Sequence, residues 1–207
     1  MDWVEIADEQ ELRDLVGEVM PRAANKERPA LTEHDRAWLA ATPFCVVATA
    51  GADGRCDASP KGDPAGTLVH VIDEKTIAIA ERKGNRRVDG YRNVLQNPHV
   101  GLNFLIPGRG DTLRVNGRAR LVREAPFFDA MAVKGVRPVL ALVVEIETVF
   151  FHCAKALLRS RLWNPESWDP EGVVPRRAVL AAELEPGTET LAELDAYYGP
   201  TYAENLY

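Results

Sequence analysis

Asp57-Ala58-Ser59-Pro60-Lys61-Gly62 and, twenty residues on, Arg82-Lys83-Gly84-Asn85-Arg86-Arg87-Val88 bracket the stretch that decides the fold. Between them, Thr67 to Ile72 and Thr76 to Ala80 are β-branched, apolar runs joined by the tight polar turn Asp73-Glu74-Lys75, the pattern of a hairpin. A hairpin folds the chain back on itself, so both clusters arrive at its open end. A phosphate monoester needs converging donors: Lys as a point charge, Arg as a fork, hydroxyl and amide groups for orientation. Ser59, Lys61, Asn85, Arg86 and Arg87 supply that set. Gly84-Asn85 is expected to turn the backbone sharply into a following helix, whose first N–H groups and dipole also favour an anion. From spacing alone, a solvated basic turn accounts for the cluster equally well.

Working outward, Phe44 to Ala50 is an apolar strand and Gly51-Ala52-Asp53-Gly54 a turn, after which Arg55 to Ser59 alternates like a strand with two different faces. Pro60 and Gly62-Asp63-Pro64 are expected to interrupt that ladder and leave Lys61 projecting from a strand end. Val88, Tyr91, Val94 and Leu95 mark one face of a helix closed by Asn97-Pro98. His99 to Ile106, Asp111 to Val122 and Val139 to Phe151 read as three further strands. Pro126 to Lys134 makes a short helix ending at Gly135. Gly101 and Gly117, inside strand patterns, are places where a sheet can bend.

Two helices precede this block. Asp8 with Glu11 resembles a capping box ahead of Leu12, Leu15, Val16 and Val19, a run ending at Pro21; Asn25 to Pro29 is linker; Thr32 with Asp35 starts a helix that carries Trp38 and Leu39 and stops before Pro43. After the block, Ala154 to Arg161 forms a short helix bearing Lys155, Arg159 and Arg161, Glu183 to Pro186 is linker, and Thr188 to Tyr198 is a final helix stopped by Gly199-Pro200. The expected fold is mainly β with peripheral helices: an antiparallel sheet of six or seven strands, closed or nearly so, with one crossover helix. Four strands come before the first candidate crossover helix, which excludes a doubly wound parallel sheet. The chain reads as one domain, with helices over 1–42, the barrel over 43–151 and a helical tail over 152–207.

At 207 residues and 46% hydrophobic the chain can bury a substantial core. A net charge of −6 argues against a general nucleic-acid binder, which needs a positive surface to displace counterions. Cys45, Cys56 and Cys153 are too far apart for a zinc knuckle or a disulfide framework. The opening Met1-Asp2-Trp3-Val4-Glu5 is acidic where a secretory signal is basic, and no apolar run reaches membrane-spanning length, so a cytoplasmic location with no membrane partner is expected. His34 reads as a solvated first-turn residue. His70 is expected on the opposite face of its strand from Val69 and Val71. His152-Cys153 is expected to be a buried thiol beside a hydrogen-bonded imidazole, with no metal. Arg109-Gly110-Asp111 reads as turn chemistry.

Phe44 to Val122 resembles the pyridoxamine 5'-phosphate oxidase-like superfamily of FMN-binding split barrels. The residues that carry the resemblance are Ser59-Pro60-Lys61-Gly62-Asp63, Gly84-Asn85-Arg86-Arg87, Asn97-Pro98-His99-Val100-Gly101-Leu102, and the run from Pro107 to Gly117. The resemblance implies that Lys61 and Asn85-Arg86-Arg87 hold an FMN phosphate and that Ala58 and Ser59 run beside the ring and ribityl chain. It also implies a homodimer with the flavin between subunits, Thr112 and Arg114 contacting it from the partner copy. The stretch from Phe150 to Pro165 resembles the ending of an uncharacterised branch, in which Arg161 and Trp163 are expected to help close the site.

The Arg-x-His substrate signature of true pyridoxamine phosphate oxidases is missing, and Arg161-Leu162 followed by Pro165 is only a weak echo of it. The expectation is therefore an FMN-dependent oxidoreductase on an unidentified small organic substrate, with no catalytic side chain assigned. Two alternatives stay open: a flavin- or haem-binding protein without turnover, and a split barrel that uses a deazaflavin. No Gly-x-Ser-x-Gly elbow, P-loop or His-Glu-x-x-His motif competes with this reading.

Overall fold

A computed structural model describes residues 3–185 and 187–207. Met1 and Asp2, part of the acidic opening, and Pro186, the end of the expected linker, lie outside the described residues. The elements in chain order are α1 (Glu9–Val16), α2 (Pro21–Ala24), α3 (Glu33–Ala41), β1 (Phe44–Ala50), β2 (Cys56–Gly62), β3 (Val69–Val71), β4 (Thr76–Ala80), α4 (Asp89–Gln96), β5 (His99–Leu105), β6 (Thr112–Val122), β7 (Ala141–His152), α5 (Lys155–Arg159), α6 (Pro170–Val173), α7 (Arg177–Leu184) and α8 (Leu191–Tyr197). A 3-10 turn, Pro126–Met131, lies between β6 and β7.

The seven strands form one antiparallel sheet in the order β2-β1-β5-β6-β7-β4-β3, a split barrel whose edge strands are β2 and β3. Alternation sets its inner face: Cys45 and Val47, Ile77 and Ile79, Val100, Leu102 and Phe104, Leu113 and Val115, and Val144 are all buried in the main core. Trp38 and Leu39 of α3 pack into the same core, each worth about 2 kcal/mol of apolar burial. On the opposite face Ala78, Ala80, Ala141 and Val143 are covered by Phe128 and Met131 of the 3-10 turn. Those stretches of β4 and β7 are therefore buried on both sides, which is why they read as unbroken apolar runs.

Several expectations need correction. Pro60 does not interrupt β2 but pairs with Val46, and the strand continues to Gly62; β2 is an edge strand, where a residue without an N–H is tolerated. Pro21 begins α2, because α1 already stops at Gly17, whose φ of 82° is left-handed. The face of α4 is Tyr91 and Val94, both buried, while Leu95 is 76% exposed and Val88 also lies outside the core. The segment after Pro126 is a 3-10 turn followed by a reversal at Lys134 and Gly135, not a helix ending at Gly135. α7 reaches Leu184, so Glu183 and Leu184 belong to a helix and not to a linker; its Ala-rich run carries no capping residue to mark it in the sequence.

Of the two strand glycines, Gly117 is the one the sheet requires. The β6–β7 register slips between Asn116 and Gly117, and a Cβ on Gly117 would lie 2.0 Å from the Glu145 carbonyl oxygen. Gly101 has only ordinary contacts at that position. The 25–29 segment is also more than linker. Arg28 exchanges backbone hydrogen bonds with Val149 of β7, and its guanidinium meets the fully buried Asp35 at 2.8 Å, while Asp35 completes the Thr32 capping box.

Candidate functional site

The two clusters do meet. Ala58, Ser59, Lys61, Asn85, Arg86 and Arg87 line one pocket of about 200 Å³, together with Asp57, Glu81, Tyr91 and the first residues of α4. Register explains the β2 side. Asp57, Ser59 and Lys61 pair with Thr49, Val47 and Cys45, so their side chains share the inner face, over which α4 is laid. α4 is held there by Asn93 Nδ2 donating to Thr49 Oγ1 at 3.1 Å and by the buried Tyr91 and Val94.

The turn into α4 is not made at Gly84. It is made by Arg86 and Val88, both left-handed, with φ of 63° and 52°. Val88 is the N-cap and offers no side-chain acceptor, so the first N–H groups of α4 face the pocket without a side-chain cap. Asn85 Oδ1 accepts from the Arg87 backbone N–H at 3.1 Å, which folds the segment locally. Gly90 is packed against Asp57, whose Oδ2 would lie 2.9 Å from an added Cβ.

The charges are partly matched already. Lys61 Nζ donates to Glu81 Oε2 at 2.6 Å, the same oxygen accepts a very short hydrogen bond from the Tyr91 hydroxyl, and the ammonium lies 4.8 Å from the Tyr91 ring centroid. Burial, followed by the Glu81 hydrogen bond and charge, pushes the Tyr91 hydroxyl far above the ordinary tyrosine range. Arg87 Nε pairs with Asp89 at 2.8 Å. Of the three lining cations, Arg86 alone has no carboxylate partner among the described residues. Beneath the pocket, burial raises the Cys45 thiol to about 12 despite the opposing charge of Lys61.

Arg82 belongs to the basic run in sequence but not to the site. Its Nε meets Asp63 Oδ2 at 2.8 Å and its Nη2 donates to the Met131 carbonyl at 2.7 Å, with the Tyr207 hydroxyl donating to the other Asp63 oxygen at 3.0 Å. It is a structural clamp between β2, the 3-10 turn and the last residue of the chain.

The remaining candidates lie elsewhere. Thr112 and Arg114 line a second pocket of about 240 Å³ on the outer face of the sheet, with Val46, Ala48, Gly101, Asn103 and His152. Trp163 packs beside the β5–β6 turn, its Nε1 donating to the Arg109 carbonyl at 2.6 Å, and Arg161 is exposed with a φ of 53°. Neither lines the pocket at β2. Cys153 and His152 are both exposed, contrary to the expectation of a buried pair. His70 stacks on Phe127 with centroids 5.3 Å apart, and Arg109 and Asp111 close their own turn with two hydrogen bonds of 3.1 and 3.0 Å. Among the described residues there is no cluster of three or more His, Cys, Asp or Glu able to hold a metal, and no helix long and apolar enough to cross a membrane.

Residues 31–153, more than half of the chain, match the family model described as pyridoxamine 5'-phosphate oxidase. Among solved structures, a candidate pyridoxamine 5'-phosphate oxidase from Lactobacillus delbrueckii is 22% identical, with a TM-score of 0.47 over 60% of this chain and 98% of its own. HupZ from Group A Streptococcus is 21% identical, with a TM-score of 0.46 over 58% and 93%. HutZ, the haem storage protein of Vibrio cholerae, is 14% identical, with a TM-score of 0.40 over 59% and 94%. Likeness at this level bears on neither ligand nor activity. No curated protein sequence matches the chain.

Proposed function

The chain belongs to the pyridoxamine 5'-phosphate oxidase family, and from that premise we propose that it binds FMN and acts as a flavin-dependent oxidoreductase on a small organic substrate. The observation that carries the reading is convergence. Ser59 and Lys61 from β2, and Asn85, Arg86 and Arg87 from the segment before α4, line one pocket in front of a helix N-terminus that lacks a side-chain cap. Those donors fit a phosphate monoester: two forks, one ammonium, a hydroxyl, an amide and backbone N–H groups. Arg86, which has no carboxylate partner among the described residues, takes the phosphate first, and Lys61 follows once it exchanges Glu81 for the ligand. Bound there, the flavin supplies the electron chemistry, while the chain orients it and excludes water.

Thr112 and Arg114 sit on the opposite face of the sheet from this pocket, so within one copy they do not line it. A homodimer that apposes outer faces lets them reach the ring held by the second copy, with Ala58 at the edge strand between the two sites. Arg161 and Trp163, beside the β5–β6 turn, are the residues we assign to the rim of such an interface. Three free thiols suit a reducing, cytoplasmic setting.

The test is the absorption spectrum of the purified chain, followed by titration with FMN and with riboflavin. A flavin band, and an Arg86→Ala or Lys61→Ala variant that loses FMN affinity far more than riboflavin affinity, is the expected result. A colourless protein that fails to take up added FMN ends this reading, and a haem or deazaflavin band replaces it.

A further inference from the structure

The outer-face pocket has a chemistry of its own. The sheet register sets Asn103 beside Arg114, Arg114 beside Phe150, and Thr112 beside His152, so all five side chains project on one face. Lys26 does not line the pocket but lies beside this group because Arg28 is bridged to Val149: its ammonium is 4.7 Å from the Phe150 ring centroid, and the Arg114 guanidinium is 5.3 Å from it. Among the described residues neither Lys26 nor Arg114 has a carboxylate partner, and no acidic residue lines the pocket. Among the described residues no side-chain hydrogen bond engages Asn103, Thr112, Arg114 or His152 there, and the Asn103 side-chain oxygen is buried with no partner. At the phosphate pocket, by contrast, two of three cations are already neutralised.

We propose that this pocket is a binding site for a small 2-hydroxycarboxylate, its oxyanion held by Arg114, Lys26, His152 and the Thr112 hydroxyl, and its hydroxyl donating to Asn103. Converging cations with no internal anion bind an oxyanion without first breaking an ion pair. The buried acceptor of Asn103 calls for a donor next to that oxyanion. Partial burial and the nearby Lys26 and Arg114 hold the His152 imidazole below its ordinary range, and an added anion opposes the charge contribution of those neighbours. As an anion site the pocket stands on these residues alone. Its role as the seat of the substrate's acidic end rests on the preceding FMN reading, in which Thr112 and Arg114 face the partner's flavin.

The experiment is an NMR titration of the His152 imidazole in the full-length chain, with glycolate as the probe and acetate, inorganic phosphate and chloride at equal ionic strength as comparisons. Glycolate is expected to raise the His152 pKa more than acetate does, and Arg114→Gln to weaken glycolate roughly tenfold, the loss of one charge-assisted hydrogen bond. Arg114→Lys, which keeps the charge, is expected to recover part of that loss. A response to phosphate that exceeds the response to glycolate overturns the carboxylate assignment. A response equal to that of chloride, or one undiminished in Arg114→Gln and Lys26→Gln, overturns the site. Lys61→Ala separates the two readings: it is expected to lose FMN and keep the glycolate response. Competition between FMN and glycolate in the unmodified chain overturns the substrate role, because the pocket then belongs to the cofactor ring.

Discussion

Lys61 and Glu81 hold one another at 2.6 Å in the lining of the candidate phosphate pocket, with side chains only 16% and 21% exposed. The lysine assigned to the proposed phosphate is thus already paired with a carboxylate that Tyr91 also anchors. Binding of an anion by Lys61 must exchange one partner for another. Glu81→Gln is therefore expected to strengthen FMN by roughly tenfold, on the scale of one desolvated charge interaction, and to leave riboflavin unchanged. Quenching of flavin fluorescence measures both; equal strengthening of the two flavins would show that Glu81 does not compete with the phosphate.

Arg82 and Arg86 lie four residues apart and are expected to behave oppositely. Arg82→Ala strands Asp63, whose side chain is 1% exposed, and should cost about 3 kcal/mol in urea unfolding while leaving the FMN-to-riboflavin ratio intact. Arg86→Ala should change stability by no more than about 0.5 kcal/mol and collapse that ratio.

Cys45 is expected to resist a thiol reagent in the native chain at pH 8, since a thiol raised to about 12 carries almost no thiolate there, while the exposed Cys56 and Cys153 react. All three should react after denaturation. The same burial has a pH signature. Cys45 and Tyr91 ionise more readily unfolded than folded, so the stability Cys45 contributes is complete below the ordinary thiol value of 9.0 and falls as pH rises from there toward about 12, while that of Tyr91 begins to fall only above the ordinary tyrosine value of 10.0. Alkaline unfolding followed by circular dichroism, with Cys45→Ala and Tyr91→Phe as controls, checks the direction.

Gly117→Ala places a methyl group where the Glu145 carbonyl stands, 2.0 Å away, and backbone cannot yield cheaply. A loss of at least about 2 kcal/mol is expected, against less than about 1 kcal/mol for Gly101→Ala, in paired urea titrations.

Val88→Gly is expected to stabilise the chain by about 1 kcal/mol. A β-branched residue at φ 52° is strained, and Gly removes the strain, whereas Val88→Pro cannot adopt that φ and should unwind the start of α4. Thermal melts of the two variants should move in opposite directions.

Local rules made much of this chain legible before any fold was known. The apolar, β-branched runs from Phe44 to Ala50 and from Thr76 to Ala80, bounded by polar turn residues, set those strands to the residue, and the Thr32–Asp35 capping box set the start of α3, because each depends on neighbours a few positions away. The resemblance carried by Ser59-Pro60-Lys61-Gly62 and Asn85-Arg86-Arg87 also named the family. What tertiary structure decided is which partner each side chain meets. Nothing near Lys61 in the sequence announces Glu81, twenty residues on, and nothing near Arg82 announces Asp63 and the Met131 carbonyl. Pro60 reads as a break until β2 is known to be an edge. The outer-face pocket exists only because pairing β6 with β7 sets Arg114 beside Phe150 and Thr112 beside His152, while the Arg28 bridge brings Lys26 over the same ring. Hydrogen-bond ladders and ion pairs of this kind join residues far apart in the chain, and their geometry is written in the sheet order, which no local pattern encodes.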